Sequence, residues 1–76
     1  MKTVQVFLNS IEKVKRFVND VSKFEYEFDL AAGKYVIDAK SIMGIFSLDL
    51  TQPLTLTIHA NDSMEHILDK LALYMI

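Results

Sequence analysis

Between Phe24 and Leu30 a large apolar residue stands at every second position, and the three residues between, Glu25, Glu27 and Asp29, are all acidic. An extended strand with one buried and one wet face satisfies that period of two. The alternation recurs at Val4, Val6 and Leu8, and again at Leu54, Leu56, Ile58 and Ala60 with Thr55, Thr57 and His59 on the outer side. Tyr35 to Ala39 forms a fourth run, with Ile37 and Ala39 as its inward residues. It follows the turn Ala31-Ala32-Gly33-Lys34, where Gly33 is free to take a positive φ. Strands with a single apolar face need a covering layer on that face alone.

The period changes elsewhere. After the cap-forming pair Asn9-Ser10, residues Ile11, Val14, Phe17, Val18 and Val21 recur at spacings of three and four. Glu12, Lys13, Lys15, Arg16, Asn19 and Asp20 fall between them, which predicts an amphipathic helix of about three turns. The segment Ser41 to Leu48 is apolar, short and interrupted by Gly44, so one or two helical turns capped by Ser41 are expected. Thr51-Gln52-Pro53 is a connection. Asp62 with Glu65 reads as a capping-box-like pair opening a last helix. Met64, Ile67, Leu68 and Leu71 are its buried stripe, extended by Tyr74 and Met75. The order βαββαβα makes residues 1–76 a single α+β domain: a two-layer, open-faced sandwich with a four-stranded, mainly antiparallel sheet and helices on one face.

A chain of 76 residues buries only about 60–65% of its unfolded surface. With no Cys there are neither disulfides nor Cys-based zinc sites, and a 51% hydrophobic composition supplies the core instead. A net charge of −2 with scattered basic residues is no footprint for nucleic acid. No apolar run has the length of a membrane span, and the alternating N-terminus is unlike a signal peptide, so a cytoplasmic protein is expected. No phosphate-binding Gly loop, nucleophile elbow or metal-ligand spacing occurs. The sequence therefore implies no metal and no cofactor, and nothing supports a self-contained enzyme. His59 and His66, without a nearby carboxylate pattern, read as surface residues.

The run Lys40-Ser41-Ile42-Met43-Gly44, with Ser47-Leu48 after it, resembles the central segment of HPr proteins, the phosphocarriers of the bacterial sugar phosphotransferase system. The element order resembles that family across essentially the whole chain. The resemblance implies a histidine at the start of the first helix, an arginine two residues on, and usually a proline next. Aligned through Phe17-Val18, those positions hold Ser10, Glu12 and Lys13. A serine ester gives up phosphate far less readily than an imidazole does, and Glu12 sets a negative charge where a phosphate would need a positive one. Phosphoryl relay is therefore not expected.

In Gram-positive members the serine of the central motif is phosphorylated by a dedicated kinase, which the resemblance carries to Ser41. A phosphate there would lie at a helix N-terminus, where its charge is favoured; as a plain cap, Ser41 would be worth about 1 kcal/mol. The apolar residues after the serine dock protein partners in the family, which carries over to Ile42, Met43 and Phe46. The expected function is thus sugar-transport regulation or docking, with phosphotransferase-system proteins or an HPr-type serine kinase as partners. Two other readings stand beside it: a true carrier with a non-standard acceptor, and a self-associating module forming homodimers on the same fold.

Overall fold

The alternating runs pair as four strands: β1 (Lys2–Val6), β2 (Glu27–Ala32), β3 (Tyr35–Asp38) and β4 (Leu54–His59). The computed structural model describes residues 1–60 and 64–76; the Asp62 of the expected capping pair lies outside them. The strands form one sheet in the order β1-β4-β2-β3, with every neighbouring pair antiparallel. Val4 lies opposite Leu56, and Leu56 in turn opposite Leu30, so the apolar positions of adjacent strands fall on one side. Helices α1 (Ile11–Val21), α2 (Ile42–Phe46) and α3 (Glu65–Leu71) bury their apolar residues in that same core. A 3-10 turn, Ala72–Tyr74, continues α3.

Among the described residues sixteen side chains make the core, including Val6, Phe17, Phe28, Leu30, Leu56, Ile58 and Tyr74. Burying one such side chain stabilises by about 1.5–3 kcal/mol, so a dense apolar interior can replace covalent staples. The hairpin turns at Gly33 (φ 61°). A positive φ at the first central residue of a two-residue loop is the II′ pattern, whose twist matches the strands it joins.

The structure departs from the sequence reading in several details of the fold, among them that β1 ends at Val6 although the alternation runs to Leu8. β2 begins at Glu27 rather than Phe24, because residues 24–26 form a bend in which Phe24 packs on Phe28 and His66. Ala31 and Ala32 lie in the strand, leaving Gly33-Lys34 as the whole turn. Ile11, expected in the buried stripe of α1, is 63% exposed; it is the first residue of the helix and lies beyond the core. Asp20, expected on the wet face, is buried. Its carboxylate accepts a 2.7 Å hydrogen bond from the Tyr74 hydroxyl, and Lys70 Nζ stands 3.8 Å from its other oxygen. Tyr74 meets Phe17 edge-on at 5.2 Å between ring centroids. The pair thus ties the end of α1 to the C-terminal segment.

Burial holds the Tyr74 phenol protonated well above its ordinary range; the hydrogen bond to Asp20 and the Asp20 charge push the same way, and Arg16 opposes them. Replacing Tyr74 by Phe leaves the Asp20 carboxylate buried without its hydroxyl donor, at an expected cost of ~1–3 kcal/mol in urea unfolding. Because the fold keeps this proton to higher pH than the unfolded chain, the stabilisation is intact below about pH 10 and falls as pH rises beyond it. The stability gap between wild type and Tyr74→Phe should therefore narrow at alkaline pH.

Candidate functional site

Two helix N-termini carry the residues singled out by sequence. At the first, Ser10 caps α1: its backbone is extended (φ −148°, ψ 156°) and its Oγ accepts the Lys13 N–H at 3.1 Å. That bond satisfies one of the amides a helix start leaves open. The Lys13 ammonium turns back toward Asn9 Oδ1 (3.4 Å) and over the Phe7 ring (5.9 Å). Glu12 is exposed in the first turn. The helix start therefore presents a hydroxyl and a carboxylate, with its nearest cation folded onto its own loop.

At the second, Ser41 caps α2 in the same way, accepting the Gly44 N–H at 3.1 Å. The turn before it is fixed by Asp38, whose Oδ1 accepts the Lys40 N–H (2.9 Å) and whose carbonyl accepts the Ser41 N–H (3.0 Å). Ser41 itself is exposed. Gly44 has a local reason to lack a side chain: a Cβ there would sit 3.2 Å from Ser41 Oγ. Lys40 also has a structural task that the sequence did not reveal. Its ammonium donates to the Phe24 carbonyl (2.8 Å) and lies 5.6 Å from the Phe28 ring centroid, holding the bend that precedes β2.

The apolar residues of α2 divide as a helix of five residues requires. Ile45 is fully buried, Met43 is 79% exposed and Phe46 is 40% exposed. Ile42, expected to share the outer patch, is half-buried and packs against the core. Of the three, Met43 and Phe46 are therefore the ones offered to solvent.

Both histidines lie at the end of the molecule away from Ser10. β1 runs antiparallel to β4, so His59 falls level with the start of β1 whereas Ser10 follows its end. His66 stacks edge-on against Phe24, just past the C-terminus of α1. The 11 residues of α1 put roughly 16 Å of helix between that point and Ser10. His59 is not without a carboxylate, as the sequence suggested: its Nε2 lies 2.7 Å from Asp29 Oδ2 on the uncovered sheet face. The two are on adjacent strands, and only the register brings them together. Among the described residues no three potential metal ligands cluster, and no helix is long and apolar enough to cross a membrane.

The family profile described as "PTS HPr component phosphorylation site" matches residues 12–75. The chain belongs to the HPr family. Two crystal structures resemble it over almost their whole length. HPr-C-His from Thermoanaerobacter tengcongensis is 28% identical, with a TM-score of 0.80 covering 97% of this chain and 91% of that one. The phosphocarrier protein HPr from Bacillus anthracis str. Ames is 27% identical, with a TM-score of 0.73 covering 97% and 94%. No curated protein matches the chain. The α+β sheet-and-helix arrangement is the HPr fold, and the chain is an HPr-like member of the sugar phosphotransferase system. The general kind of partner is accordingly a protein of that system.

The Ser41 cap can be tested by substitution. Ser41→Ala should cost about 1 kcal/mol in urea unfolding. Gly44→Ala alone should gain less than the ~1 kcal/mol that helical propensity favours. The shortfall should vanish in the Ser41→Ala background, where the 3.2 Å approach no longer exists.

Proposed function

We propose that this HPr-family chain works as a regulatory or docking protein, switched at Ser41 and read through Met43 and Phe46, rather than as a phosphoryl relay. The observation that carries this reading is the composition of the α1 start. There a serine hydroxyl is engaged in capping and a glutamate stands in the first turn. A relay needs a group that accepts phosphate and releases it readily, with positive charge to steady the anion. Neither histidine lies near that helix start, which weighs against a substitute acceptor at the family's own position.

Ser41 has the features a modification site requires. Its side chain is exposed, and its hydroxyl caps α2. A phosphate of about −2 charge on that residue adds strong acceptors beside the open amides of the first turn. It would also change the charge next to an apolar pair suited to a partner's surface. Met is well adapted to such a role because its side chain repacks at little cost. The partner we assign is a protein of the phosphotransferase system or an HPr-type serine kinase acting in the cytoplasm.

The test offers two phosphate donors to the purified protein in parallel. One is the general phosphotransferase enzyme with phosphoenolpyruvate, the other an HPr-type serine kinase with ATP; intact mass and site mapping read the products. Phosphate at Ser41 from the kinase alone is the expected result, and Ser41→Ala should abolish it. An acid-labile phosphate arriving from phosphoenolpyruvate would instead make the chain a carrier and overturn the proposal. Met43→Ala should reduce phosphorylation by the kinase while leaving the unfolding free energy within about 0.5 kcal/mol of wild type, because the residue is exposed.

A further inference from the structure

The two edges of the sheet are finished differently. Along β1, the C-terminal segment lies beside the strand: Phe7 N–H donates to the Tyr74 carbonyl (2.9 Å), Ile76 N–H to the Gln5 carbonyl (3.1 Å), and Val6 bridges to Met75. The other edge, β3, has no strand outside it among the described residues. Its Tyr35 and Val36 are 68% and 64% exposed. An uncovered edge with apolar side chains is a template for pairing with another strand.

The backbone direction narrows which pairing fits. Ala39 N–H donates to the Phe28 carbonyl, so the amides of odd-numbered residues here point toward β2. By the alternation of an antiparallel ladder, those of Val36 and Asp38 point away from it. We propose that β3 pairs antiparallel with β3 of a second copy of this chain, with Val36 opposite Val36 on a two-fold axis.

In that register Lys34 of each copy faces Asp38 of the other, twice over. Val36 packs on Val36, and Tyr35 lies opposite Ile37 on the inner side. Sliding by one pair in either direction puts Val36 opposite Lys34 or opposite Asp38, and each slide loses both ion pairs. The charge pattern therefore selects one register and makes the edge complementary to itself, as a two-fold contact demands. A β3–β3 contact would join two four-stranded sheets into one of eight strands. With one short strand on each side, the contact area is small and the dimer is a weak, reversible one. Asp38 keeps the bond from Lys40 N–H through Oδ1, leaving Oδ2 for the partner's lysine.

Sedimentation velocity across a wide range of protein concentration should give a mass rising toward twice that of the monomer. Val36→Lys, at an exposed position, should weaken association by about tenfold or more, because it sets like charges directly opposite each other. Lys34→Asp should weaken it likewise, and the double variant Lys34→Asp/Asp38→Lys should restore it. Urea unfolding of each variant confirms that it is folded. Should Asp38→Lys fail to fold, Val36→Lys and Lys34→Asp decide alone, together with the Val36 amide, which should exchange more slowly as concentration rises. A protein monomeric throughout overturns the proposal. So does association indifferent to Val36→Lys and Lys34→Asp, or a folded double variant no tighter than the single ones.

Discussion

The interior of this domain is one layer deep, and that constraint governs the rest of the structure. Phe28 and Leu30 from β2 and Leu54, Leu56 and Ile58 from β4 form the floor, and the helices supply the roof. Every residue that contributes to the core must project to the same side of the sheet. The opposite face carries Thr3, Gln5, Thr55, Thr57, His59 and Asp29, which reach one another and water. Gln5 donates to Thr55 there, and His59 meets Asp29. These contacts are exposed and contribute little to stability. The sheet is held by what lies beneath it.

Such a layer is easy to read in a sequence because burial imposes a strict period. The inward residues of β4 and the strand face of Phe28 and Leu30 follow from alternation, and the buried stripe of α1 from the spacing of Val14, Phe17 and Val21. Pairwise geometry is less legible. Asp20 looks like a surface residue by its type and its place on the helix wheel. Its burial depends on Tyr74, 54 positions later, supplying a hydroxyl at the right height. The His59–Asp29 contact depends in the same way on β2 lying beside β4 in one register. Ile11 errs in the other direction: periodicity has no means of telling where a helix outruns the core it covers.

The candidate site divides along the same line. Ser10 and Ser41 are legible as caps because capping is local, spanning three residues, and both bonds form as expected. The role of Gly44 follows from the second of them, since the capping oxygen occupies the space a side chain would need. Membership of the HPr family rests on the profile match over residues 12–75 and on the likeness of the whole fold, and the matched stretch begins after Ser10. Fold and site are thus separable here. The α1 start is served by a serine because a helix start asks only for a side-chain acceptor.

The pairing of β1 with β4 joins Lys2 to Ile58, far apart along the chain. As the polypeptide is made, the first strand has no lateral partner in the sheet until the residues of β4 emerge. At ordinary rates of synthesis, that interval lasts on the order of 3 to 10 seconds. Local elements can form early, among them α1 and the β2–β3 hairpin, and the sheet can then grow from the β3 edge across β4 to β1. Until β4 arrives, the nascent chain exposes the apolar side chains of Val4, Val6 and Leu8, and their protection in that period depends on what the cell provides.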